Sequence, residues 1–312
     1  MAALSNLTTN QHYVWQHYLR AWATQKKLWC KRIDADEPFA TTPRNIGAER
    51  FFYEFHELTP DDIAYLNLVI SQSNDDRLRT LNQGWIDSFQ KTFSIRRTLI
   101  GMELEPAHLA QLEMELQAIE KTLGESFHSA TESRAVPLLD ALRREDASFY
   151  ENEETSTIFI DYISHQYFRT ARMRRTILAI PNPLPHDMSR TWPVEAFIYA
   201  TNLASSFVKQ RRQCRIVLLQ NKSSVPFITG DQPIINLCGY EVEKVDLYYP
   251  LKPDLAMIFT TDRTQFSSDS IEVGRIAVES YNHRIYAKSY SQIYGNDPVY
   301  LKALVQLPKE EW

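Results

Sequence analysis

Five apolar positions near the start of the chain, Val14, Trp15, Tyr18, Leu19 and Trp22, step by one, three, one and three, which puts them on one helical face. The spacing predicts a first helix over residues 9–23 with that aromatic face buried. Residues 28–33 read as a short strand, and 49–55 as an extended or turning segment rich in aromatics. Thr59-Pro60-Asp61-Asp62 is a helix start, with a hydroxyl cap, proline at the first helical position and acid in the first turn. Helical patterning then dominates to about Gln213. Within it Leu109, Leu112, Leu116, Ile119 and Leu123 step by three, four, three and four, an apolar seam that predicts packing on a neighbouring helix. Prolines 181, 183 and 185 predict a rigid extended linker over 181–185.

After Gln213 the texture changes. Residues 216–219, 227–229, 234–237, 257–259 and 285–287 are short β-type runs separated by Pro, Gly, Asn and Asp. A sheet built after the helices makes the class α+β, a predominantly helical body with a C-terminal, mainly antiparallel sheet. We expect one domain over 1–312: a helical body at about 58–213, and a sheet-rich region at about 214–312 that the N-terminal segment 1–57 contacts.

Composition narrows the class. Hydrophobic residues make up 44% and charged residues 23%, which excludes wholesale disorder. No apolar run reaches the ~18 residues that span a bilayer, and the N-terminus lacks the pattern of a secretion signal. Cys30, Cys214 and Cys238 are far apart, which points to a reducing, cytoplasmic setting rather than a disulfide framework. The net charge of −5 is uneven: 103–154 holds 13 acidic and 4 basic residues, 165–215 holds 9 basic and 2 acidic. Either each block is a solvated face, or the basic one meets a phosphate or a nucleic-acid backbone.

Much familiar chemistry is missing. No two of the eight glycines lie closer than nine positions, which excludes the glycine-rich phosphate loops. There is no HExxH helix and no GxSxG elbow. His12 and His17 would point to different helix faces. His128 and Glu132, four apart, read as a helix-surface pair.

Six segments carry the remaining signal: 11–19, 45–53, 166–170, 227–233, 249–253 and 282–286. In this order they resemble a widespread bacterial family of unknown function, number four-two-three-eight in the domain-of-unknown-function series, over residues 12–289. That family opens on His-x-Val-Pro-x-x-Tyr-Leu and closes on aromatic-Ile-(Ser/Thr)-x-Asp-x-Pro. This chain departs at Trp15, where proline is usual, and at Gly230, where serine is commoner. The resemblance implies no activity. It nominates positions.

His12 is a candidate general base or metal ligand, or else an anchor for the first helix. Glu49, beside Phe51-Phe52-Tyr53, is a candidate proton carrier or cation ligand, or else an arginine's partner. Asp231 leaves a strand in a turn, where catalytic carboxylates and Asx turns both occur. Arg169 and Arg172 share a helix face and could converge on one anion, while Arg174 and Arg175 point elsewhere. The leading expectation is a metal-dependent hydrolase on a phosphate-containing substrate, a nuclease in a toxin or phage-defence setting. His12, Glu49, Asp231 and Arg169 would be catalytic, Asn45, Glu132 and Arg172 would bind, and His12, Glu49 and Asp231 would hold a divalent cation. The partners expected are nucleic acid or a phosphate-bearing ligand, and no membrane. The rivals are a non-catalytic interaction or sensor protein whose polar motifs are structural, and a pocket for a small anionic ligand.

Overall fold

The computed structural model describes residues 9–102, 104–179, 186–239, 244–262 and 264–309. The linker expected at 181–185 lies outside them.

The N-terminal segment is not one helix. It opens with a strand, β1 (Asn10–His12), followed by a short helix, α1 (Gln16–Leu19), and a 3-10 turn at Arg20–Trp22. Strands β2 (Leu28–Arg32), β3 (Phe39–Thr41) and β4 (Ala48–Arg50) follow. β1 pairs antiparallel with β4, and the carbonyl of Gly47 accepts from Tyr13 N and Val14 N, at 2.9 and 3.1 Å. Backbone groups that a helix would pair locally are thus met from about 35 residues away, which a local period does not reveal. The aromatic face survives: Tyr18, Leu19 and Trp22 are buried, though Trp15 only half so.

The helical body is α2 (Pro60–Ser71), α3 (Asp76–Ile100), α4 (Pro106–Arg143), α5 (Glu153–Phe168), α6 (Ala171–Leu178) and α7 (Met188–Lys209). Thr59 caps α2 as its sequence predicts: Asp62 N donates to Thr59 Oγ1 at 3.2 Å and Thr59 N to Asp62 Oδ2 at 2.9 Å. The seam on α4 is only partly buried. Leu116 is inside, while Leu109 and Ile119 are exposed, because the first half of this 38-residue helix has fewer neighbours to pack on.

The C-terminal third holds β5 (Arg215–Asn221), β6 (Thr229–Gly230), β7 (Ile235–Asn236), β8 (Asp246–Lys252), β9 (Leu255–Thr260) and β10 (Ser270–Val273), then α8 (Arg275–Lys288), β11 (Gln292–Gly295) and α9 (Pro298–Leu304). The strand expected at 285–287 is instead the last turn of α8. An apolar triplet reads alike on a buried strand and a buried helix.

One sheet runs β10-β5-β9-β8-β7, antiparallel except for the parallel β10–β5 pair. Its strands are apolar on both faces. Ile216, Leu218, Leu247, Tyr249, Met257 and Phe259 pack toward α4, α5 and α1, while Val217, Leu219, Tyr248 and Ile258 pack toward α8 and α9. Each such side chain contributes about 1.5–3 kcal/mol by leaving water. A second sheet, β3-β2-β11-β6, sets N-terminal strands beside C-terminal ones. Trp22 Nε1 donates to Phe227 O at 3.0 Å, and the Tyr18 hydroxyl lies 2.7 Å from Thr229 Oγ1, so the first segment is fastened to the 227–233 motif.

Candidate functional site

The motif residues meet in a buried polar knot around β1. Gln11 accepts from Tyr53 N at 2.7 Å and donates to Lys121 O. Gln166 Nε2 donates to Tyr13 O at 2.9 Å, and the Tyr53 hydroxyl lies 3.2 Å from His12 O and 3.3 Å from Arg169 O. Arg169 is buried; its Nη2 donates to Gln166 Oε1 at 2.7 Å and forms an ion pair with Glu132. Burial pushes Glu132 up, and burial pushes Glu125 up to about 7 against the opposing pull of Arg169. One guanidinium here serves two carboxylates. Among the buried polar atoms of the described residues without a hydrogen-bond partner, Glu125 Oε2, His128 Nε2 and Arg169 Nε belong to this knot.

The expected catalytic quartet gathers around this knot without sharing an open cleft. Asp231 is fully buried, its Oδ1 accepting from Tyr290 N at 2.7 Å. Its Oδ2 accepts from Ser291 N at 2.7 Å, Gln292 N at 2.9 Å and Ser291 Oγ at 3.0 Å. Burial pushes the carboxyl up, and these four donors pull it back down in part. It is the cradle of the turn entering β11. Glu49 pairs with Arg174 Nη2 at 2.6 Å, and that guanidinium lies 4.2 Å over the Phe52 ring. Glu132, expected to bind a ligand, neutralises Arg169 instead. His128 and Glu132 are buried, not a surface pair: His128 stacks on Phe197 at 4.7 Å and faces Tyr53 at 4.5 Å, because α4 turns that side inward. Among the described residues, no three His, Cys, Asp or Glu side chains are placed to hold a metal ion, so His12, Glu49 and Asp231 do not form the expected cation site.

His12 leads out of the knot. Its Nε2 donates to Arg44 O at 3.1 Å, and its Nδ1 accepts from Gln16 Nε2 at 3.4 Å. Burial lowers its pKa, and the charges of Arg169 and Arg44 lower it further, so the ring is the neutral tautomer that this donor–acceptor pair needs. Gln16 and Arg44 are the two sides of a surface groove of about 570 Å³, with Arg20, Lys26, Thr42 and Pro43. Arg20, Lys26 and Arg44 are exposed, form no ion pair among the described residues, and no carboxylate lines the groove with them. Lys26 and Gln25 hold left-handed backbone, φ 68° and 49°, in the tight turn closed by Thr24 and Lys27. Side chains rarely accept that conformation, so the turn spends some stability to present Lys26 there. Asn45, a binding candidate, is exposed next to Arg44 and is not among the groove's lining residues.

The family model described as "Protein of unknown function (DUF4238)" matches residues 10–298. The chain belongs to the DUF4238 family. No curated protein and no solved structure matches it. The DUF4238 motif segments 11–19, 45–53 and 166–170 supply residues of the polar knot, while the cations of the groove went unread. Its three cations come from the 3-10 turn at Arg20–Trp22, the tight turn closed by Thr24 and Lys27, and a second 3-10 turn at Pro43–Asn45, with no shared motif. A signal was present: the first 33 residues of this DUF4238 chain carry five Lys or Arg and no Asp or Glu.

Proposed function

We propose that this protein binds a phosphodiester strand in the Gln16–Arg44 groove, as a binding module, with His12 as the positioning residue beneath it. One observation carries the reading: three cations on one concave surface, without a carboxylate among the lining residues and without ion pairs among the described ones. Like charges held together repel, and a multivalent anion is the partner that offsets the repulsion. The Gln16 amide and the Thr42 hydroxyl add neutral hydrogen-bonding groups of the kind that contact phosphate oxygens. Three separated cations suit a chain of phosphates better than a single one.

The hydrolase reading drew on Arg169, Asp231, Glu49 and His12. The first three are committed to Glu132, to the 290–292 backbone and to Arg174. That leaves His12, whose two ring nitrogens hold the groove walls. Cys30, Cys214 and Cys238 form no disulfide among the described residues, which suits a reducing compartment for this binding.

The test is fluorescence polarisation with a fluorescein-labelled single strand of about 12 nucleotides. Replacing Arg20, Lys26 and Arg44 together by Gln should weaken binding about tenfold or more at low salt, with the melting temperature unchanged. Equal affinity in the triple variant would sink the reading. Cleavage of the probe by wild type, lost in His12→Gln, would restore the hydrolase.

A further inference from the structure

A second hollow, of about 110 Å³, opens between α6, the loop from Gln232 to Gly239, and the last residue of α8. Two amides fix its walls through bonds to the protein's own groups. Gln232 accepts from the Thr170 hydroxyl and donates to Ile234 O at 2.7 Å and Tyr167 O at 3.2 Å. Asn236 donates to Gly239 O at 2.9 Å and accepts from Asp246 N at 3.1 Å and Cys238 N at 3.2 Å. Thr176, Arg172 and Lys288 also line the hollow. Half-buried Arg172 makes no hydrogen bond or ion pair among the described residues.

That condition is costly. A guanidinium carries five N–H donors, and partial burial removes part of its water without supplying acceptors. A further cation stands near: Lys309, whose Nζ donates to Ser289 O at 2.7 Å, is close enough to Arg172 for the two charges to act on each other. Arg175, by contrast, turns away to the Tyr290 hydroxyl at 2.6 Å and lies over that ring at 5.0 Å. Asp231, whose charge acts on Lys309, is spent on the 290–292 turn. Two of the family's motif segments, 166–170 and 227–233, each supply a lining residue here, Tyr167 and Gln232.

We propose that this hollow binds one compact oxyanion, a phosphate or carboxylate group. Arg172 would supply the planar two-pronged donor, with the Thr176 hydroxyl beside it. Its small volume admits a single anionic group, whereas the larger Gln16–Arg44 groove suits a chain of them. The two sites stand on different residues and fail separately.

The experiment is isothermal titration of the full chain with inorganic phosphate and, separately, with acetate, at constant ionic strength. We expect saturable one-site binding of one of the two anions, which also names its class. Arg172→Gln should weaken it about tenfold or more, as loss of a charge-assisted bond does. Arg172→Lys should lose part of that, since it keeps the charge without the fork, and it serves if the Gln variant folds poorly. Thr176→Val should weaken binding about threefold to tenfold. Arg175→Gln and the triple groove variant should titrate like wild type. No saturation by either anion up to about 10 mM, or undiminished affinity in both Arg172 variants, would overturn the proposal.

Discussion

The knot beneath β1 and the groove above it use the same kinds of residue in opposite ways. In the knot, Arg169 meets Glu132 and Gln166, and Asp231 meets four donors. In the groove, Arg20, Lys26 and Arg44 meet no carboxylate within the described structure. The first arrangement satisfies charge inside the protein and fastens distant segments together. The second leaves charge for something outside it. His12 belongs to both, since Tyr53 holds its carbonyl within the knot while its ring bonds Gln16 and Arg44. A motif-rich position is thus no guide to a ligand; an unpaired one is.

Mutations should separate the two regions, beginning with the knot. Arg169→Met leaves Glu132 buried without its cation and should cost about 3–5 kcal/mol in urea unfolding. Arg44→Gln should stay within about 0.5 kcal/mol. Comparable losses from the two would erase the distinction.

Gly230→Ser comes next. A Cβ at 230 would run into the Ser289 hydroxyl, so a serine has no room here. We expect a loss of about 1–3 kcal/mol, largely recovered in the double variant with Ser289→Ala. Additive losses would show that the two side chains do not compete for that space.

Acid–base behaviour gives a third contrast. Glu125 titrates at about 7 in the folded protein, above its ordinary value near 4.3. Between those values the folded chain holds a proton that the unfolded chain has lost, so stability falls as pH rises from about 4.5 to 7 and levels off above. Glu125→Gln should flatten that fall and stabilise the protein at pH 8, read from unfolding midpoints across pH. An unchanged slope would place the titrating group elsewhere.

The smallest effect is expected in the groove. Lys26→Gly suits the left-handed turn and should add about 0.5–1 kcal/mol of stability while weakening the labelled strand. Stability gained with full binding would remove Lys26 from the site.

The α+β class, the Thr59 cap and the β-type runs that became β5 and β9 were legible because each is written in local residues. The first segment was misread as helix because its strand partner, Ala48–Arg50, lies far along the chain. The last turn of α8 was misread as strand because three apolar residues carry no period. Arg172 was nominated as a binding residue and does line a hollow, whereas Asp231 and Arg169 were nominated for their chemistry and are spent on packing. Burial and pairing decide between those outcomes, and both are tertiary.

The most direct test of the groove is the salt dependence of strand binding by the wild-type protein. Three cations contacting phosphates of a single strand should give log Kd a slope of about 2 against log salt concentration. Removing Arg20, Lys26 or Arg44 singly should lower that slope by about 0.7 each. A slope near zero, or one that the three substitutions leave unchanged, would contradict the account.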